Sequence, residues 1–247
     1  MAYLVYFFLA FFFYLILFFL SLRGERRSRL FYGIGLVPPI FLNGMAFIDM
    51  TLRSGHLPSH FLFERFVQLG FGVGLLLWLI SFFEDTRRLV RYILIMILIM
   101  FGLCLFFPMD LKLATYRYSI PWAQLFFQIE VLSFVLLIFA SAYCLLYLVE
   151  NKRLDGGKKI LVKGRIYLLI GFVAFLTSQF FGSVWSLQGW GDYWMWGKMS
   201  FIGVVMWFYI MFIIHSRYVK GCGEKFEAGI GLSLFLMVLI YRMVWQP

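Results

Sequence analysis

Four tryptophans fall within twelve residues, Trp185, Trp190, Trp194 and Trp196, in the segment Gly-Ser-Val-Trp-Ser-Leu-Gln-Gly-Trp-Gly-Asp-Tyr-Trp-Met-Trp-Gly that runs from Gly182 to Gly197. Half of the chain's eight tryptophans are gathered here around Tyr193, with glycines at 182, 189, 191 and 197 permitting tight turns. Flat indoles on a short loop make a platform for a flat, apolar ligand. A membrane-interface aromatic belt uses the same residue types, but it spreads them over the ends of many helices. Nineteen residues beyond Trp196 stands His215, one of three histidines, with Arg217 after it. An imidazole there either ligates a metal or caps the last turn of a helix. Its neighbours at i−4, i−7 and i−8 are Met211, Phe208 and Trp207, a wall that suits a flat ligand and equally suits helix packing.

The other chemistry-bearing residues carry weaker signals. His56 and His60 precede Glu64 and Arg65, and a loop histidine is either solvated or a ligand. Asn43, Asp49 and Glu130 lie in apolar surroundings, where polar side chains are costly and default to a functional or ion-pairing role. Cys104 and Cys144 sit in apolar runs and Cys222 in a basic loop, and without a CxxC there is neither a redox pair nor a zinc knuckle.

The elements that carry these residues follow from composition. With 63% hydrophobic, 22% aromatic and 14% charged residues in 247, the chain is far too apolar for a water-soluble domain. A helix needs about 20 apolar residues to cross a hydrocarbon core about 30 Å thick, and strand-type alternation is nowhere sustained. The pattern predicts an all-α polytopic membrane bundle of eight spans: Ala2 to Leu20, Leu30 to Met50, Phe61 to Phe83, Val90 to Phe107, Trp122 to Val149, Ile166 to Val184, Met199 to Ile214 and Ala228 to Val244. Pro38 and Pro39 predict a kink in the second. The first span has no basic residues before it and arginines after it, so it reads as an anchor rather than a signal peptide. No connecting segment leaves room for a soluble domain, so residues 1–247 form a single membrane domain, with a tryptophan-rich loop at 185–198.

The formal charge of +10 has a topological explanation. Sixteen of the 22 Lys and Arg residues fall in four alternate segments, 21–29, 84–91, 150–165 and 215–227. By the positive-inside rule these face the cytoplasm, which puts both termini and the tryptophan loop outside. The excess reports orientation, and no nucleic-acid partner is implied.

The tryptophan segment resembles the WWD loop of the haem-handling membrane proteins, the superfamily that includes CcsA/ResC-type cytochrome c assembly proteins, CcmC, CcmF and HemX. Gly182, Val184, Trp185, Trp190, Gly191, Tyr193, Trp194 and Trp196 match its register, and His215 stands where the family places a histidine. Ser54-Gly-His-Leu-Pro58 leading to Glu64 is similar to a second family segment, with Phe63-Glu64 as in HemX-like members. Pro121-Trp122, opening the long helix that ends at Leu145 to Leu148, is similar to a third. The resemblance implies eight spans, non-covalent binding of haem b with Trp185, Trp190, Tyr193, Trp194, Trp196 and His215 at the cofactor, and His215 as a metal ligand.

The departures bear on activity. Gly197, Lys198, Met199 and Ser200 replace the motif's acidic end, and the family's other histidine positions fall near Asn43, near Phe126 to Gln128, and beyond Pro247. A synthetase needs paired imidazoles on the iron, so the resemblance implies a member without catalytic residues of its own. The resemblance further implies haem binding in c-type cytochrome biogenesis beside other membrane subunits of an assembly or respiratory complex, in a multi-pass protein of a prokaryotic cytoplasmic membrane. The competing expectations are a HemX-like regulator of tetrapyrrole synthesis, contacting a partner through its basic loops, and an accessory structural subunit that reuses the fold.

Overall fold

The structure is a computed structural model that describes residues 2–22, 29–58, 61–111, 120–150, 157–194, 197–219 and 223–244. His60, Trp196 and Cys222 lie outside the described residues, as do the basic residues Arg23, Arg26, Arg27, Lys112, Arg117, Lys152, Arg153 and Lys220. All regular structure among the described residues is helical: α1 Ala2–Leu22, α2 Arg29–Gly35, α3 Val37–Ser54, α4 Leu62–Phe83, α5 Arg87–Cys104, α6 Pro121–Glu150, α7 Gly157–Trp190, α8 Lys198–Ser216 and α9 Glu224–Val244.

Seven of the eight expected spans each coincide with one helix, and the second, Leu30 to Met50, is divided between α2 and α3. Six stretches are long and apolar enough to cross a membrane, counting α2 and α3 as one, and α8 supplies a shorter apolar stretch over Ser200–Ser216. The eighth, α5, carries Arg87, Arg88 and Arg91 at its start before an uninterrupted apolar run. The expected kink is a break at Leu36, because Pro38 and Pro39 carry no N–H and cannot continue the ladder of α2. The chain divides into two compact units, residues 1–114 and 115–247.

In the first unit α1 packs against α3 and α5, and α4 against α3 and α5. The face of α1 that turns inward is Tyr3, Phe7, Ala10, Tyr14, Leu17 and Ser21, an alternation of three and four that lays one stripe along the helix. Phe8, Phe12 and Phe19 are exposed, as lipid-facing side chains are. Asp49 has a local role: its carboxylate accepts the Tyr3 N–H at 2.8 Å and pairs with Arg53 one turn on, joining α1 to α3.

In the second unit α6 is the central helix, with α7 and α9 packed against it and α8 against α9 and α7. Its membrane window is 83% buried, which suits a helix apolar on every side. The seam with α7 is kept narrow by glycines. A Cβ on Gly164 would lie 3.2 Å from Tyr143 Cβ, one on Gly171 would lie 3.1 Å from Leu137 Cδ2, and one on Gly182 would lie 2.9 Å from the Phe126 ring. Hydroxyl groups tie the same helices across apolar surroundings: Ser133 Oγ donates to the Gly171 carbonyl at 2.8 Å, and Ser141 Oγ donates to Gly231 at 2.9 Å while accepting the Phe235 N–H. At the other end Arg165 of α7 forms a two-pronged pair with Glu227 of α9, and Tyr147 of α6 donates to Glu224. The end of α6 and the starts of α7 and α9 therefore meet at one end of this unit, opposite the tryptophans.

Candidate functional site

The tryptophan segment is more helical than its sequence suggests. Where the expected span ends at Val184 and a loop begins at Trp185, α7 continues to Trp190. It stops at Gly191, whose positive φ of 81° turns the chain while its N–H caps the Leu187 carbonyl at 2.9 Å. The loop proper starts there, and the Asp192 carboxylate accepts the Trp194 N–H at 3.2 Å.

The extra helical turns exist because aromatic rings on α6 hold them. Trp185 stacks on Phe126 at 5.8 Å and meets Phe127 edge-on at 5.5 Å, while Trp122 stacks on Phe181 at 5.8 Å. Trp122 and Phe126 fall on one face of α6 with Phe127 on its flank, and Phe181 and Trp185 on one face of α7, so the two rows meet along the seam. That pairing was readable as helical spacing in both segments, but which helix faced which was not.

Burial separates the expected platform residues. Trp185 is only 5% exposed, with Trp190 edge-on to it at 5.2 Å, and is therefore a packing residue. Trp190 is 38% and Tyr193 59% exposed, and Trp194 is partly exposed. Among the described residues of this segment, the open aromatic surface is Trp190 and Tyr193, flanked by the half-buried Trp194.

His215 stands at the far end of α8, seventeen residues from the start of the helix at Lys198. At 1.5 Å per residue this is about 26 Å along the axis, so one flat macrocycle cannot touch both His215 and the tryptophan end. The imidazole is exposed and its Nδ1 lies 2.8 Å from the Met211 carbonyl. A carbonyl only accepts, so Nδ1 is the protonated nitrogen of this contact, and in its neutral form the ring has its lone pair at Nε2. This is the tautomer in which a histidine ligates a metal, with the backbone carbonyl orienting the ring. Phe208 and Phe212 on the adjoining turns are exposed, and Tyr218 lies 6.4 Å away, so the histidine opens on an aromatic surface.

His56, Glu64, Arg65 and Glu130 are built into the packing. His56 is buried, its Nδ1 bonded to the Leu57 carbonyl at 2.9 Å. The Glu64 carboxylate accepts the Phe61 N–H at the start of α4, and Arg65 beside it is fully buried. Glu130 pairs with Arg242. No cluster of three or more metal-ligating side chains occurs among the described residues.

These features define a polytopic helical membrane protein with an aromatic end and an exposed imidazole at the far end of α8. A family model described as Cytochrome C assembly protein matches residues 59–245, and the chain belongs to that family. It is 26% identical over 271 residues to a cytochrome c biogenesis protein CcsA of Prochlorococcus marinus strain MIT 9301, covering 94% of this chain and 87% of that protein. It is 22% identical to the CcsA of Trieres chinensis over 91% of this chain and 87% of that one. Among solved structures, the cytochrome c haem lyase CcmF superposes with a TM-score of 0.73 at 17% identity, covering 96% of this chain and 46% of CcmF. That likeness speaks to the fold.

Proposed function

We propose that this chain handles haem b in c-type cytochrome assembly, binding it without covalent attachment, from the cytoplasmic membrane of a prokaryote. The observation that carries the reading is His215: its Nδ1 is bonded to the Met211 carbonyl, which leaves the Nε2 lone pair of the neutral ring for a metal, and it lies on an exposed aromatic helix face. Family membership supplies the context, and the likeness to a haem lyase supports the fold. The donor set fits the group, since a neutral imidazole is a common axial ligand for haem iron. Bound haem would supply an iron centre and a flat hydrophobic macrocycle. The residues divide the work by position: His215 donates at one end of α8, and Trp190, Tyr193 and Trp194 offer faces for stacking at the other, which the distribution of basic residues assigns to the outside. Two separate stations follow from their separation along α8.

A HemX-like regulator docking through the basic segments 150–165 and 215–227 has less support, because Arg165 and Lys158 in the first of these lie against Glu227 and Glu224. The reading is tested by purification in mild detergent followed by a pyridine haemochrome assay. The expected result is stoichiometric haem that falls substantially in a His215→Ala variant; absence of haem, or full retention in the variant, overturns it.

A further inference from the structure

Deep in the first unit, Tyr14 of α1 and Asn43 of α3 are each completely buried. The phenol lies beside the Asn43 side chain, yet Tyr14 Oη, Asn43 Oδ1 and Asn43 Nδ2 close no hydrogen bond of good geometry with any protein group. The third wall is α4. A Cβ on Gly74 would lie 2.3 Å from Tyr14 Oη and 3.3 Å from Ile40 Cγ1, so the hydroxyl ends against bare backbone, one turn of α3 before Asn43. All three helices belong to membrane-crossing stretches, and these positions are well inside them. Neither bulk water nor headgroups reach a side chain there, and orphaned polar groups are costly in such surroundings.

We propose that Tyr14, Asn43 and the backbone at Gly74 form a binding site for a single water molecule within the membrane bundle. The donor and acceptor inventory selects the ligand. A phenol donating directly to Asn43 Oδ1 would still leave Nδ2 unpaired, and an apolar ligand would leave all three atoms unpaired. Water, with two donors and two acceptors, accepts from Nδ2 while pairing with Oδ1 and Oη, within the two to four polar partners that buried waters have. The water pins α1 to α3 close to the place where Pro38 and Pro39 remove two amide donors from the helix. The site is independent of haem binding.

The chain has only two asparagines, Asn43 and Asn151, which makes the test direct. The full chain, labelled with ¹⁵N-asparagine and placed in lipid nanodiscs, gives two side-chain amide signals, and the Asn43 pair is the one lost in Asn43→Leu. Magnetisation transfer from water protons to the Asn43 amide is expected in the wild type, with a several-fold loss in Tyr14→Phe. Absence of transfer to Asn43 while Asn151 shows it, or unchanged transfer in a folded Tyr14→Phe variant, overturns the site. Should Tyr14→Phe not fold, the wild-type spectrum decides alone.

Discussion

Arg242 and Glu130 face each other between α9 and α6, Nη1 lying 3.2 Å from Oε2, with neither side chain exposed. Tyr241 donates to the other carboxylate oxygen at 2.6 Å, and the guanidinium lies 4.7 Å from the centre of the Phe134 ring. The pair sits one turn along α6 from Phe127, which seats Trp185. It therefore anchors the last turn of α9 beneath the tryptophan end. Removing one member of a buried pair leaves an uncompensated charge, at a cost of about 3–5 kcal/mol, whereas replacing both by apolar groups is often neutral. Glu130→Leu and Arg242→Met should each lower the thermal midpoint in detergent strongly, and the double variant should recover most of the loss. Additive losses would show that the two side chains are not coupled.

Trp185 and Trp190 should separate by experiment. Trp185→Ala removes a buried ring from the α6–α7 seam, with an expected cost of about 3–5 kcal/mol. Trp190→Ala, at an exposed position, should leave the thermal midpoint nearly unchanged while reducing haem recovered on purification. Equal destabilisation by both would contradict the division between packing residue and platform.

Gly231 of α9 lies so close to α6 that a Cβ would be 2.4 Å from Cys144 Sγ. Gly231→Ala should overpack the seam and cost about 1–3 kcal/mol. Cys144→Ala, by removing the sulfur, should rescue it in the double variant. Unfolding curves for the four chains check this, and failure of the rescue would place the strain elsewhere.

The Arg165–Glu227 pair, partly buried at 27% and 12% side-chain exposure, fastens the start of α9 to α7. Arg165→Ala should destabilise by about 1–2 kcal/mol, the range for charge-assisted bonds that retain some solvent. The swapped double variant, Arg165→Glu with Glu227→Arg, should recover part of that loss. Thermal unfolding of the three chains in detergent is the readout, and failure of the swap to recover any of the loss would show that the pair contributes nothing.

The amino-acid sequence determined the all-helical apolar bundle, the break at Pro38 and Pro39, the alternation of basic segments and the clustering of tryptophans between Gly182 and Gly197. Each depends on local composition or spacing, which the physics of a bilayer converts directly into helices. Tertiary structure decided which of those residues remain available. Trp185 and Trp190 are the same residue type five positions apart, yet one is enclosed by Phe126 and Phe127 and the other is open, because burial depends on the neighbouring helix. Glu130 and Arg242 are 112 positions apart and could not be paired from sequence. His215 and Trp194, 21 positions apart in the sequence, lie toward opposite ends of α8 because a continuous helix converts residue number into length.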